Sequence, residues 1–133
     1  MKNFYLKATK GIFYTPEVKL NAETGHCQIM GESQADNSVK FYTPIIEWVE
    51  HYIKHVRGRI RFDFELVYFD TSSSKFIHQI LKILRKYELK SGQVIINWHY
   101  PDDNEDILDE GLQFSEDTGL DIKFLPYVND EAY

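Results

Sequence analysis

The sequence has one cysteine, no long apolar run and an excess of acid over base. Cys27 has no second cysteine to pair with, so neither a disulfide nor a zinc cluster is expected, and its place in a predicted strand favours a buried structural thiol. The 21 acidic residues outnumber the 15 basic ones, which argues against nucleic-acid binding, since that depends on basic patches. No segment is long enough to span a bilayer, and Met1-Lys2-Asn3 begins no signal peptide. These absences predict a soluble, cytoplasmic protein without membrane insertion.

The motifs of catalysis and metal binding are also missing. The sequence contains no glycine-rich phosphate loop, no Gly-x-Ser-x-Gly elbow and no evident acid–base pair. His51 and His55 stand four apart on a predicted helix, but no third ligand accompanies them. The acidic residues between Asp102 and Asp121 lack the ligand spacing of a calcium loop. We therefore expect no metal, no cofactor and no enzymatic activity.

What the sequence does contain is enough apolar material for a folded core. Hydrophobic residues make up 43% of the chain and aromatic residues 15%, which argues against disorder. A length of 133 residues suits one domain. We expect a single domain over residues 1–133, with a tail from Val128 onward that frays.

The hydrophobic periodicity predicts an α/β fold in the order β-β-β-α-β-α-β-α-β. Three short strands start an antiparallel arrangement, and later strands alternate with helices, which predicts a mixed sheet with helices packed on it. The first helix has two candidate starts, Thr43 followed by Pro44 at the first helical position, or Ser38 with a bend at Pro44. The predicted strands are 4–8, 16–20, 26–30, 60–69, 93–100 and 121–126, and the predicted helices end at Gly58, open at Lys75 and lie within the acidic stretch.

The strand at 60–69 is the predicted centre of the sheet. Five apolar residues share one of its faces: Ile60, Phe62, Phe64, Leu66 and Tyr68. The opposite face begins charged at Arg61, Asp63 and Glu65 and ends apolar at Val67 and Phe69. This pattern predicts a strand that ends buried on both faces, inside a sheet covered by helices.

A run of hydroxyl side chains follows this strand. Asp70-Thr71-Ser72-Ser73-Ser74 is predicted to be a turn that caps the helix opening at Lys75. Ligand sites of α/β sheets lie at this end of the strands, and a helix N-terminus favours anions. Two interpretations stay open at this point, namely a capping turn alone and a regulated phosphoacceptor.

Charge is distributed in two poles. Residues 102–121 hold nine acidic side chains and neither lysine nor arginine, which suits a solvated helix face or a docking surface for a basic partner. Lys54, Arg57, Arg59 and Arg61 form the opposite pole, which suits an acidic partner or a merely solubilising role.

Several short motifs along the chain resemble those of the SiaC family of bacterial regulatory phosphoproteins. They are Pro16-x-Val18-x-Leu20, Gly31-x-Ser33, Asn37, Phe41-Tyr42-x-Pro44-Ile45-x-x-Trp48, Tyr68-Phe69-x-Thr71-Ser72-Ser73, and Asn97-Trp98 followed by the acidic stretch through Gly111. The motifs span nearly the whole chain in order, and their combination carries the resemblance.

The resemblance implies a STAS-like fold, similar to that of anti-sigma-factor antagonists. It also implies that Thr71 is the phosphoacceptor, modified by a regulatory protein kinase and restored by a PP2C-type phosphatase. The unphosphorylated form would bind and activate a diguanylate cyclase, which links the switch to cyclic-di-GMP and biofilm formation. We expect the partner to dock on six consecutive residues, Asp70, Thr71, Ser72, Ser73, Ser74 and Lys75.

Two alternatives remain from sequence alone. The first is an anti-sigma-factor antagonist that acts on a kinase-type anti-sigma factor by the same partner switch. The second belongs to a different class, a small hydrolase or ligand-binding protein that uses the 70–74 turn as an anion site.

Overall fold

One six-stranded mixed sheet and three helices make up the computed structural model, which describes residues 1–128. The strands are β1 (Phe4–Leu6), β2 (Glu17–Leu20), β3 (His26–Ser33), β4 (Ile60–Phe69), β5 (Val94–Pro101) and β6 (Ile122–Tyr127). The helices are α1 (Ser38–His51), which continues as a π-helical turn (Tyr52–Val56), α2 (Thr71–Leu89) and α3 (Glu105–Thr118). The predicted order of elements and the mixed sheet are confirmed. Of the predicted frayed tail, only Val128 is among the described residues.

The strands lie side by side in chain order. β1, β2 and β3 pair antiparallel, whereas β3, β4, β5 and β6 pair parallel. Each parallel strand is joined to the next by one helix. The three crossovers have the same hand and proceed in the same direction across the sheet, so their helices lie on one face. The core lies between that face and the helices. Within the described residues the other face of the sheet carries no helix. Tyr68 near the end of β4 is exposed, so the prediction that this strand ends buried on both faces was wrong.

The end of β4 departs from simple alternation. Gly31 pairs with Leu66 but Glu32 pairs with Tyr68, so Val67 is an extra residue on β4. A bulge of this kind reverses the facing of the residues that follow it. Tyr68, predicted in the core, is therefore 48% exposed, whereas Phe69 is buried.

The first helix resolves the two predicted starts in favour of the longer one. α1 begins at Ser38 and contains Pro44 within it. Its N-cap, however, is Asn37, whose side chain accepts a hydrogen bond from the N–H of Lys40 at 3.1 Å. Asparagine ranks with serine as an N-cap, so the polar loop offered several equivalent candidates.

The acidic helix α3 packs closely on β5 despite its thin apolar stripe. Trp98 Nε1 donates a hydrogen bond to the carbonyl oxygen of Ile107 at 2.9 Å. A Cβ on Gly111 would lie 2.5 Å from that same nitrogen, so only glycine permits this approach. Phe114 is buried beside the Trp98 ring, and the acidic side chains of α3 point outward. The predicted surface helix is confirmed.

The predicted core faces of the first two helices are also confirmed. Ile45, Trp48 and Val49 of α1 are buried, as are Ile80 and Leu81 of α2. Over residues 1–128, no helix combines the length and apolar character needed to cross a bilayer.

Candidate functional site

The hydroxyl run lies in the first turn of α2 rather than before the helix. β4 ends at Phe69, Asp70 alone connects it to α2, and Thr71 is already the first helical residue. Asp70 is extended, and its Oδ1 accepts a hydrogen bond from the N–H of Ser73 at 2.8 Å. The predicted helix start at Lys75 and the predicted hydroxyl cap were therefore wrong. Aspartate is as good an N-cap as serine, and its use here leaves the hydroxyls for other roles.

The four hydroxyls differ in exposure. Thr71 and Ser72 are exposed, Ser74 is half-buried, and Ser73 is fully buried. Within residues 1–128, the hydroxyl of Thr71 forms no hydrogen bond, and the N–H groups of Thr71 and Ser72 lie in the unpaired first turn of α2. The site therefore combines a free hydroxyl with free backbone donors at the positive end of a helix.

Ser73 belongs to a buried hydroxyl network that lies under the exposed residues. Ser73 Oγ donates to the carbonyl oxygen of Ser33 at 2.9 Å, and Ser33 Oγ lies 2.8 Å from Ser73 Oγ. Ser33 Oγ also forms a hydrogen bond with the hydroxyl of Tyr42. Burial raises the pKa of Tyr42 to about 12, although Ser33 and Ser73 act in the opposite direction. The neutral network ties β3, α1 and the first turn of α2 into one rigid platform.

Sequence reasoning missed this platform. Ser33 and Tyr42 stood among the residues that carry the family resemblance, but nothing in their spacing assigned them a role. A serine at the end of a strand and a tyrosine on the apolar stripe of a helix were the available signals. Only the parallel pairing of β3 with β4 brings them beside Ser73.

The predicted docking residues do not all reach the surface. Thr71, Ser72 and Lys75 are exposed and Asp70 and Ser74 are half-buried. Ser73 is buried and holds the platform together, so its hydroxyl is not available to a partner. The roles of Thr71 as phosphoacceptor and of the 70–75 segment as docking surface stay predictions.

A shallow cleft adjoins the 70–75 segment. It lies between the end of β4 and the first turns of α3, has a volume of about 330 Å³ and is lined on one side by Tyr68. Asn104 caps α3 through Ile107 N and also donates to the carbonyl oxygen of Val67 at 3.4 Å. The remaining lining includes the carboxylates of Asp106, Asp109 and Glu110. An exposed tyrosine beside carboxylates extends the candidate docking surface toward α3.

A second polar cluster lies on the uncovered face of the sheet. Asp63 is 3% exposed and receives hydrogen bonds from His26 and His99 at 2.7 Å and from Arg61 and Asn97 at 3.0 Å. Burial alone would raise the pKa of Asp63, but these four hydrogen bonds outweigh it and lower the pKa to about 2. Asp63 was predicted on a half-solvated face, and neighbouring side chains bury it instead. Both oxygens of the carboxylate are engaged, so this cluster is a structural feature.

The described residues offer no arrangement suited to a metal ion or a reactive thiol. Over residues 1–128, no group of three or more histidine, cysteine or carboxylate side chains could hold a metal. The rings of His51 and His55 lie 4.3 Å apart between centroids. Cys27 is fully buried, and burial raises the pKa of its thiol.

Comparisons with known proteins agree with this geometry. A model of the SiaC family of regulatory phosphoproteins matches residues 6–127. An uncharacterized protein of Pseudomonas aeruginosa (strain UCBPP-PA14) is 27% identical over 120 residues, which cover 90% of this chain and 93% of that protein.

Two crystal structures from Pseudomonas aeruginosa share the fold. Apo-SiaC has a TM-score of 0.85 at 25% identity, with 94% of this chain and 99% of that chain covered. A chain in the complex of the diguanylate cyclase SiaD with its activator SiaC has a TM-score of 0.83 at 26% identity, with 91% and 99% covered. The family match over nearly the whole described chain confirms the resemblance: the protein belongs to the SiaC family of regulatory phosphoproteins.

Proposed function

We propose that this protein is a non-catalytic switch whose unphosphorylated form binds and regulates a diguanylate cyclase. Phosphorylation of Thr71 by a regulatory protein kinase ends the binding, and a PP2C-type phosphatase restores it. Membership in a family of regulatory phosphoproteins supports the switch. The similarity to a chain from the complex of SiaD with its activator supports a cyclase as the partner.

The family resemblance selects Thr71, and its accessibility in the structure supports that choice. The Thr71 hydroxyl is exposed at the first position of α2 and forms no hydrogen bond with residues 1–128. The hydroxyl of Ser73 is buried in the platform and out of reach of a kinase. Thr71 is therefore an accessible acceptor held on a rigid base.

A phosphoryl group at Thr71 suits the fold of this protein. It would add up to about two negative charges at the positive end of α2. There the N–H groups of Thr71 and Ser72 have no acceptor among residues 1–128 and can bind it. Lys75 is exposed one turn further along α2 and can approach the phosphate, since residues four apart are neighbours on a helix. The folded protein thus accepts the modification with little strain.

For the bound partner, in contrast, a phosphate on Thr71 is unfavourable. A contact built for a neutral hydroxyl would have to accept a dianion, and like-charge or uncompensated charge at an interface costs several kcal/mol. The cleft beside the 70–75 segment already carries the carboxylates of Asp106, Asp109 and Glu110. The phosphate would add up to about two further negative charges to that surface. We expect binding to end because the partner has no cation at the Thr71 contact itself, where it meets a neutral hydroxyl, so the added charge would be buried without compensation.

The experiment compares three variants for phosphorylation and for binding to the purified diguanylate cyclases of the source organism. Thr71→Ala should bind a cyclase like the wild type and lose phosphorylation, whereas Thr71→Glu should bind at least tenfold more weakly. Ser72→Ala is the matched control, because Ser72 is the neighbouring exposed hydroxyl, and it should retain both properties. Phosphopeptide mapping that places the modification on another residue, or tight binding by Thr71→Glu, would contradict the mechanism.

The absence of catalysis has its own test. Phosphoester turnover by the purified protein, measured with and without added divalent metals, should not exceed that of the buffer. Turnover that disappears on Thr71→Ala would favour the hydrolase alternative instead.

A further inference from the structure

A groove with basic rims lies at the opposite end of the molecule from Thr71. It has a volume of about 640 Å³ and runs between the π-helical turn after α1 and the last turns of α2. Ile53, Ile83 and Tyr87 form an apolar floor. A smaller cleft of about 350 Å³ shares Arg57, Tyr87 and Lys90 with it and continues it toward Arg59. We call the two together the basic groove.

Five cationic side chains surround the basic groove: Lys54, Arg57, Arg59, Lys86 and Lys90. Glu50 is the one carboxylate that lines it within the described chain. None of the five cations forms an ion pair with any residue between 1 and 128. A chain with a net charge of −6 thus gathers five cations, unpaired within its described part, around one apolar floor.

The backbone is strained at the centre of this groove. Arg57 adopts the left-handed conformation, with φ 55° and ψ 29°, where glycine is the usual residue. Its Nε donates to the carbonyl oxygen of Lys54 at 3.0 Å, which fixes the base of the guanidinium over the groove. The π-helical turn that precedes it is also a costly form and is frequent at functional sites. A long cationic side chain therefore occupies a position where glycine would relieve the strain.

We propose that the basic groove docks an acidic amphipathic helix of a partner protein, on a surface separate from the Thr71 switch. The apolar floor would receive the apolar face of that helix, and the five cations would pair with carboxylates along its edges. Because the proposal concerns the other end of the sheet, it stands independently of the proposed cyclase switch.

Helix polarity favours carboxylates on a helix over a compact phosphate ligand. The π-helical turn and α2 both end at this groove, so their last carbonyl groups place partial negative charge there. A small anion seated deep between the helices would meet those carbonyls. Carboxylates carried on a docked helix would instead meet the ends of long lysine and arginine side chains at the rim.

A second copy of this chain is the less favoured occupant. Its helix α3 is acidic and has Leu112 exposed at 46%, so its chemistry would suit the groove. The groove and α3 are different patches, however, and head-to-tail contacts between different patches produce rings or open chains rather than a closed pair. The experiment keeps this outcome distinct.

The test measures binding by the full chain of a fluorescent model helix of about 18 residues, or five turns, with leucine on one face and glutamate on the other. We expect saturable binding that weakens as salt rises, because rim charges are screened. Arg57→Gly combined with Lys86→Glu should weaken binding at least tenfold, and Arg57→Gly removes the cation while relieving backbone strain. Lys123→Glu is the control: it changes an exposed lysine of β6 and should leave binding unchanged.

Four results would overturn the proposal. They are no binding of the model helix, equal binding of a scrambled peptide with the same composition, tighter binding of inorganic phosphate, and binding that survives the double substitution. A peptide of residues 102–121 tests the second copy. Its preferential binding, together with concentration-dependent association of the whole chain in sedimentation, would assign the groove to copies of this chain instead. Thr71→Glu should bind the model helix as the wild type does, so a failed cyclase switch and a failed groove give different results.

Discussion

The two ends of the parallel strands hold charge in different ways. At the carboxyl end, all three helices begin, and each is capped by a short amide or acid side chain, namely Asn37, Asp70 and Asn104. At the amino end of the strands, α2 and the π-helical turn terminate next to the lysine and arginine side chains that line the basic groove. The first end therefore attracts anions through its backbone, and the second only through side chains.

This difference indicates where a phosphate can act as a switch. Backbone N–H groups are fixed in place, so we expect the phosphate proposed for Thr71 to be received without rearrangement of the fold. Cations on flexible stems are better suited to a partner whose charges are spread over a longer surface. Under the two proposals, this fold would hold a modification site and a second interaction surface at opposite ends of its parallel strands.

The largest effect should come from the core that joins the two ends. Leu81 is fully buried in α2, so Leu81→Ala should lower the free energy of unfolding by about 2–5 kcal/mol through lost burial and a cavity. Leu89→Ala makes the same chemical change on the same helix at a residue that is 68% exposed. It should cost less than about 0.5 kcal/mol. Urea unfolding of the two variants measures the difference, and a similar loss in both would contradict the assigned faces of α2.

The Asp63 network should make stability depend on acid pH. Folding lowers the pKa of Asp63 from 3.8 to about 2, so the folded state binds this proton less readily than the unfolded state does. The contribution, about 2 kcal/mol, is present above pH 4 and is lost as the pH falls toward 2. Asp63→Asn should remove this part of the pH dependence in urea unfolding between pH 2 and 5. An unchanged slope in the variant would show that the network does not stabilise the fold.

Substitutions in the platform of Ser33, Tyr42 and Ser73 should weaken the structure only at the carboxyl end of the parallel strands. Ser33→Ala leaves the buried Tyr42 hydroxyl without its serine partner, which should cost about 1–3 kcal/mol. Adding Tyr42→Phe removes the stranded hydroxyl and should recover part of that loss. Hydrogen exchange in the first turn of α2 should rise in Ser33→Ala and fall again in the double variant. Binding of the model helix at the basic groove should change in neither.

The parts of the fold that could be predicted are those that local hydrophobic pattern determines. Strand alternation and helical spacing located every strand and helix, because burial of one face dictates both periods. The bulge at Val67 could not be predicted, since its cause is the pairing of β4 with β3, a contact between distant parts of the chain. The same holds for Asp63, which alternation placed on a half-solvated face but which residues from the two neighbouring strands, β3 and β5, bury.

The candidate site could also be predicted only as far as local pattern reaches. The run of hydroxyls after a buried strand marked the end of β4 and the start of α2 as a candidate, and the family resemblance selected Thr71. The cap was misassigned because Asp70 and the serines are equivalent N-caps by sequence. Once the helix is known to begin at Thr71, helical spacing places Ser73 inward, four residues before the buried Ile77, and Ser72 outward. The partner of Ser73, Ser33, is distant in the chain, so no local pattern contains that contact.

The smallest effect is expected from a charge placed at Thr71. It tests directly whether the N-terminus of α2 favours negative charge. The substitution Thr71→Glu places a negative charge at the first position of α2, where it should raise the free energy of unfolding by about 0.3–1 kcal/mol at low salt. Thr71→Lys places the opposite charge at the same exposed position and should lower it by a similar amount. Because neither side chain enters the core, the difference between the two variants isolates the electrostatic contribution of the helix end. The difference should shrink at high salt as screening increases. If both variants were equally destabilised, the backbone at this end would not favour negative charge, and the fold would not be expected to tolerate a phosphate at Thr71.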